Sequence, residues 1–82
     1  MIPKIHFYTR SGCHLCDEAE QALVRSGLPF IRVDIAGSDQ LEMQYGLTIP
    51  VVEVSGSKVF EAGDDPDTLA SAISGAIVPR SL

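Results

Sequence analysis

The chain holds two cysteines, Cys13 and Cys16, and their spacing is the first feature with chemical content. A thiolate attacks disulfides, and two thiols three residues apart can pass between dithiol and disulfide. They sit in the run Phe7-Tyr8-Thr9-Arg10-Ser11-Gly12-Cys13-His14-Leu15-Cys16-Asp17-Glu18. An apolar, β-prone segment ends at Ser11-Gly12, and a helix-patterned segment begins at Cys13. The start of a helix carries unpaired backbone N–H groups and a partial positive charge of about half a unit, so a Cys13 thiolate is favoured there. In a helix Cys16 falls on the same face as Cys13, roughly 5 to 6 Å away between Cβ atoms, near disulfide distance. The first cysteine of such a pair is the exposed attacker and the second, buried one the resolver.

Other uses of the pair are weaker. A closed zinc site takes about four ligands, and beyond the two cysteines the chain offers only His6 and His14. His14 adjoins Cys13, so one metal cannot easily take both thiolates and this ring. His6 lies in mid-strand, so no metal site is expected. A disulfide across one helical turn closes too short a loop to constrain the unfolded chain much, which leaves redox use as the better reading.

The elements that must hold these residues follow in order. Lys4 to Tyr8 is expected as a strand, with Ile5 and Phe7 on one face and His6 and Tyr8 on the other. The helix from Cys13 carries Cys16, Ala19, Ala22 and Leu23 on one stripe and stops at Gly27, with Pro29 beyond. Phe30 to Ile35 is the second strand, parallel to the first because a helix crosses over between them. Ser38 or Asp39 caps a short helix ending at Gly46, with Leu41 and Tyr45 facing inward. Val51 to Val54 and Lys58 to Glu61 form an antiparallel hairpin around Ser55-Gly56-Ser57, and Pro50 is confined to its strand entrance. Asp65 caps a last helix with Pro66 in its first turn, an inner stripe of Leu69, Ala72, Ile73, Ala76 and Ile77, and an end before Pro79.

Length and charge narrow the function. Eighty-two residues make one domain, 1–82, and the net charge is −5 without a basic patch, so nucleic acid is not an expected partner. No apolar run approaches the roughly 20 residues of a membrane span. The opening Met1-Ile2-Pro3-Lys4 lacks the apolar core of a signal peptide. A cytoplasmic monomer is expected, a compartment where a lone Cys-x-x-Cys is more often catalytic than structural.

The element order β-α-β-α-β-β-α, with the cysteines on the first strand-to-helix turn and a proline opening the third strand, resembles the glutaredoxin branch of the thioredoxin-like superfamily. The likeness runs over nearly the whole chain. Tyr8 to Cys16 is similar to the family's active-site run, with a basic residue three places before the first cysteine. Thr48-Ile49-Pro50 is similar to its Thr-Val-Pro, whose proline is cis. Gly63-Asp64-Asp65 falls where the family has a glycine-containing turn with acidic residues at the last helix. The resemblance implies an α/β thioredoxin fold, a four-stranded mixed sheet flanked by three helices. It makes Cys13 the nucleophile and Cys16 the resolving thiol. It also implies that Arg10 draws a substrate carboxylate or raises the local positive potential. A cis Pro50 would leave the Ile49 backbone N–H and C=O free to pair with a cysteinyl substrate, with Thr48 beside them, and Asp64 would meet a substrate amine. The family's Pro-Tyr between the cysteines is His14-Leu15 here. Protonated His14 favours the Cys13 anion, unless it is only an exposed helix residue. The family's glycine pair before the acidic turn is replaced by Glu61-Ala62, whose carboxylate would oppose glutathione.

The expected function is thiol–disulfide exchange on protein or glutathione mixed disulfides, with glutathione as a possible cosubstrate, no bound cofactor, and a glutathione- or thioredoxin-linked reductase as electron source. The alternatives are a thioredoxin-reductase-linked electron donor, an iron–sulfur or copper-binding module using Cys13 between chains, and a non-catalytic adaptor that kept the fold.

Overall fold

Alternation of apolar side chains in the first strand sets the architecture, because it commits one face of the sheet to a helix layer. In a computed structural model, which describes residues 4–77, β1 (Ile5–Thr9) buries Ile5, Phe7 and Thr9 and leaves His6 and Tyr8 partly covered on the other side. It is followed by α1 (His14–Ser26), β2 (Ile31–Asp34), α2 (Asp39–Tyr45), β3 (Val51–Val54) and β4 (Ser57–Phe60). A 3₁₀ turn (Pro66–Thr68) then leads into α3 (Leu69–Ala76). The strands lie in the order β2-β1-β3-β4. β1 runs parallel to β2, with Tyr8 beside Val33, and antiparallel to β3, with Phe7 beside Val52. The expected Met1-Ile2-Pro3 opening and the Pro79 stop lie outside the described residues.

One side of the sheet is the main core. Ile5 and Phe7 from β1, Val52 and Val54 from β3 and Phe60 from β4 join Cys16, Ala19 and Leu23 of α1 and Leu69 and Ile73 of α3 in one buried cluster. The stripe expected on α1 is the stripe found, Cys16, Ala19, Ala22 and Leu23. Gly27 closes the helix in the left-handed conformation (φ 74°), its N–H donating to the Val24 carbonyl at 3.1 Å, where a side chain would be strained. The opposite side is tied down by α2. Tyr45 stacks on Tyr8 with ring centroids 4.0 Å apart and planes 15° from parallel. Both hydroxyls reach Glu53 of β3, Tyr45 donating to Oε2 at 2.9 Å and Tyr8 to Oε1 at 3.4 Å.

Several boundaries differ from expectation, each for a local reason. Cys13 is the cap of α1 rather than its first helical residue, with extended backbone (φ −89°, ψ 110°). The hairpin turn is the two residues Ser55 and Gly56, both at positive φ (51° and 85°), so β4 starts at Ser57 and ends at Phe60. β2 is a residue shorter at each end than expected. Gly46 ends α2 while staying right-handed (φ −56°). That end is set instead by the Tyr45 carbonyl, which accepts the Thr48 N–H at 2.9 Å and the Ile49 N–H at 3.0 Å and turns the chain. Asp65 caps the 3₁₀ turn by accepting the Asp67 N–H at 2.9 Å, and the regular helix begins only at Leu69.

The packing makes a direct prediction. A domain of this size is stable by about 4 to 12 kcal/mol, and deleting a buried isoleucine side chain removes roughly 2 to 5 kcal/mol of that. Ile73→Ala should therefore lower the urea midpoint sharply or leave the chain largely unfolded. Val24→Ala, on the exposed side of α1, should change stability by no more than about 0.5 kcal/mol. Denaturant titration followed by far-ultraviolet circular dichroism measures both, and equal effects would contradict this core.

Candidate functional site

The turn between β1 and α1 places the two sulfurs. Gly12 takes φ 83°, a conformation that favours glycine, and the Cys13 N–H donates to the Arg10 carbonyl at 3.3 Å. The Cys13 carbonyl accepts the first helical hydrogen bond from the Asp17 N–H at 3.1 Å. With Cys13 as cap, its sulfur occupies the position where a serine or aspartate oxygen usually sits. It accepts the Cys16 N–H at 3.2 Å. Both cysteines are free thiols, Cys13 half-buried and Cys16 fully buried.

The two sulfurs sit in different environments. Burial pushes the Cys16 thiol up from its ordinary value, and the hydrogen bond with Cys13 adds to the shift. The Thr9 hydroxyl and a backbone hydrogen bond from Arg10 act in the opposite direction. Of the two sulfurs, Cys13 is therefore the one a reagent from outside can reach, and Cys16 is sealed. Thr9 was not among the residues singled out from sequence. The signal was present in the Ile5, Phe7, Thr9 alternation, once the strand is carried one residue past Tyr8.

The other candidate residues are placed as follows. The Arg10 guanidinium is ion-paired with Glu42 of α2, so its charge is already balanced and it ties the active-site turn to that helix. His14, the first helical residue, is strongly exposed, its Nε2 4.0 Å from Glu18 Oε2. The Ile49-Pro50 peptide is cis, and both residues are buried. The Ile49 N–H is not free as expected, because it donates to the Tyr45 carbonyl. The Thr48 hydroxyl donates to the same carbonyl at 3.3 Å, and the Thr48 carbonyl accepts the Ala62 N–H at 2.9 Å, so Thr48 serves the turn. Asp64 Oδ2 accepts the Glu61 N–H at 3.0 Å and closes its own loop.

A shallow cleft of about 40 Å³ opens beside Leu15 and Pro50, walled by Phe60, Glu61 and Asp64 across from Glu18. This is too small to enclose a ligand, for which roughly 300 Å³ is usual. Among the described residues no Lys or Arg lines the cleft, whereas three carboxylates do. Glu61 is balanced on one side by Lys58 Nζ at 2.7 Å. No three His, Cys, Asp or Glu side chains converge as metal ligands among the described residues, and none of the described helices is long and apolar enough to cross a membrane.

Comparison with known proteins agrees with this geometry. Residues 4–77 match the profile of a family described as Glutaredoxin-like domain (DUF836). The chain is similar to N-acetyl-S-hydroxy-L-cysteine reductase of Bacillus subtilis (strain 168), 26% identical over 65 residues covering 73% of this chain and 70% of that protein. An X-ray structure of a structural-genomics target protein from X. campestris superposes with a TM-score of 0.76 at 30% identity, covering 87% of this chain and 96% of the other. A solution NMR structure of a protein from Nitrosomonas europaea gives 0.66 at 25% identity, covering 87% and 91%.

The unequal burial of the sulfurs predicts the order of their alkylation. At neutral pH iodoacetamide should label Cys13 first and Cys16 at least about tenfold more slowly. In Cys13→Ser the labelling of Cys16 should still be climbing at about pH 9, since a raised thiol ionises only as pH passes its shifted value. Peptide mapping by mass spectrometry reads both, and faster labelling of Cys16 would reverse the assigned roles.

Proposed function

The chain belongs to the family of glutaredoxin-like domains within the thioredoxin-like superfamily, and from that premise we propose that it is a dithiol–disulfide oxidoreductase in which Cys13 attacks and Cys16 resolves. The observation that carries this reading is the half-buried Cys13 sulfur at the cap of α1, with the buried Cys16 one turn behind it. In the first step the Cys13 thiolate attacks a substrate disulfide, forming a mixed disulfide and expelling one substrate thiolate. In the second, Cys16 attacks Cys13, and the remaining substrate sulfur leaves as a thiol. Two electrons have then passed to the substrate and the protein holds a Cys13–Cys16 disulfide, which a reductase must reduce again.

The surroundings favour a protein or peptide disulfide, with electrons from a thioredoxin-type reductase, over glutathione. Glutathione brings two carboxylates and one ammonium, so its groove needs cationic or N–H donors. Here Arg10 is engaged by Glu42, the Ile49 N–H by Tyr45, and the cleft presents Glu18, Glu61 and Asp64. The similarity to the Bacillus subtilis reductase supports a second substrate class, an S-hydroxy thiol. The same attack by Cys13 on that sulfur forms the same mixed disulfide and releases water, and the second step is unchanged.

A coupled assay, run in parallel with thioredoxin reductase and with glutathione plus glutathione reductase, tests the proposal. Turnover is expected with the first supply and at least about tenfold less with the second. Cys13→Ser should abolish it, and Cys16→Ser should accumulate the mixed disulfide. Glu61→Gly should raise only the glutathione-supported rate, and by a modest factor, because Lys58 already screens that carboxylate. Full activity of Cys13→Ser would overturn the mechanism.

A further inference from the structure

Arg10 supplies the one cationic side chain in the run Arg10-Ser11-Gly12-Cys13 that joins β1 to α1. Its carbonyl accepts the Cys13 N–H at 3.3 Å. The two residues therefore share a tight turn, and a long arginine side chain starting there can meet a group attached to the Cys13 sulfur. In the folded chain the guanidinium is instead ion-paired with Glu42 of α2. The two side chains are 38% and 39% exposed, so a dissolved carboxylate can compete for this guanidinium. Glu42 is presented by an anchored helix. Its N–H donates to the Ser38 carbonyl at 2.9 Å and its carbonyl accepts the Gly46 N–H at 2.8 Å. Three residues on, Tyr45 is buried, stacks on Tyr8 and donates to Glu53. An exposed ion pair contributes little to stability, so the consequence of this one lies in what Arg10 is left free to bind.

A carboxylate arriving with a substrate disulfide must displace Glu42 to reach Arg10. Because Glu42 belongs to the same chain, it acts at an effective concentration of about a millimolar or more, so the incoming anion competes at a disadvantage. Nothing nearby makes up for the loss. Among the described residues no Lys or Arg lines the cleft, and the Lys58 ammonium is already paired with Glu61 at 2.7 Å. We infer that Glu42 is a specificity-determining residue, whose carboxylate occupies Arg10 and thereby disfavours disulfides that carry a carboxylate near the reacting sulfurs. Neutral and cationic disulfides are left as the preferred substrate class. The inference deepens the dithiol mechanism proposed above and rests on it. The reaction itself is unchanged: Cys13 and Cys16 give up two hydrogens and form one disulfide, and the substrate disulfide takes them up as two thiols.

Three small disulfides of similar length but different charge test the role of Glu42: dithiodipropionate with two carboxylates, hydroxyethyl disulfide with none, and cystamine with two ammonium groups. Each is mixed in excess with the reduced protein and quenched with acid, and the mass lost as two hydrogens gives a rate that needs no reductase. The dianion-to-neutral and cation-to-neutral rate ratios are read at about 0.15 M salt, where a Debye length of about 8 Å screens the distant field of the net charge. In Glu42→Ala the dianion-to-neutral ratio should rise about fivefold, the upper end for an exposed ion pair, and the cation-to-neutral ratio should fall. Made in an Arg10→Gln background, the same substitution should move the dianion ratio by less than about twofold, the effect of one missing charge acting through water. Glu42→Gln, which keeps the side-chain length and drops the charge, gives the same comparison should alanine disturb α2. A loosened turn changes all three rates together, so ratios that stay fixed overturn the role of Glu42 while leaving the dithiol mechanism intact. An equal shift with and without Arg10 overturns it as well. A wild-type protein that none of the three disulfides oxidises overturns both.

Discussion

The rotational setting of α1 is the constraint on which the site depends. Cys16, Ala19 and Leu23 are buried against β1 and α3, and losing this packing would cost several kcal/mol out of a total of about 4 to 12. Once that stripe faces inward, helical geometry leaves Cys13 no freedom. It lies one turn earlier on the same side, just beyond the point where β1 ends, so its sulfur stands at the rim while Cys16 is sealed. The hydrophobic core therefore decides which sulfur can be reached and which is sealed. Parallel pairing of β1 with β2 adds the second constraint, since the crossover helix must begin at the carboxyl end of β1 and its first turn opens there.

Around this frame the polar groups are spent on position. Arg10 joins the active-site turn to α2 through Glu42, and Tyr45 joins α2 to the back of the sheet through Tyr8 and Glu53. Burial first, then the hydrogen bonds with Tyr8 and Glu53, raise the Tyr45 phenol well above its ordinary value, so it stays a donor to Glu53. The Tyr45 carbonyl in turn holds the loop that carries Ile49 and Pro50. Fixing α2 thus also fixes the loop that brings Pro50 to the shallow cleft.

Most of this was legible in the sequence because its signals are local. The period-two pattern of Ile5 and Phe7, the Cys16-Ala19-Leu23 stripe, a cap at Ser38 or Asp39 (Ser38 in the structure) and Gly27 as a stop each depend on a few adjacent residues, and each lies where the pattern puts it. The contacts that escaped a reading by residue join distant positions. Arg10 finds Glu42, 32 residues away, and nothing near either residue announces the pairing. The Ile49 N–H is taken by a carbonyl at the end of α2, which follows from how that helix meets the loop, a tertiary matter. Thr9 escaped for a smaller reason. The strand was expected to stop at Tyr8, and one more residue of extended backbone carries the threonine into the core.

The central claim is that Cys13 and Cys16 form one redox couple. Equilibrating the wild-type protein with a series of dithiothreitol redox buffers, quenching with acid and weighing the intact chain tests it most directly. The account predicts a single reversible transition in which the protein loses the mass of two hydrogens, with the bond mapped to Cys13 and Cys16 in one chain. A protein that keeps both thiols in every buffer, or that ends as a stable adduct on Cys13 with Cys16 still reduced, would contradict it.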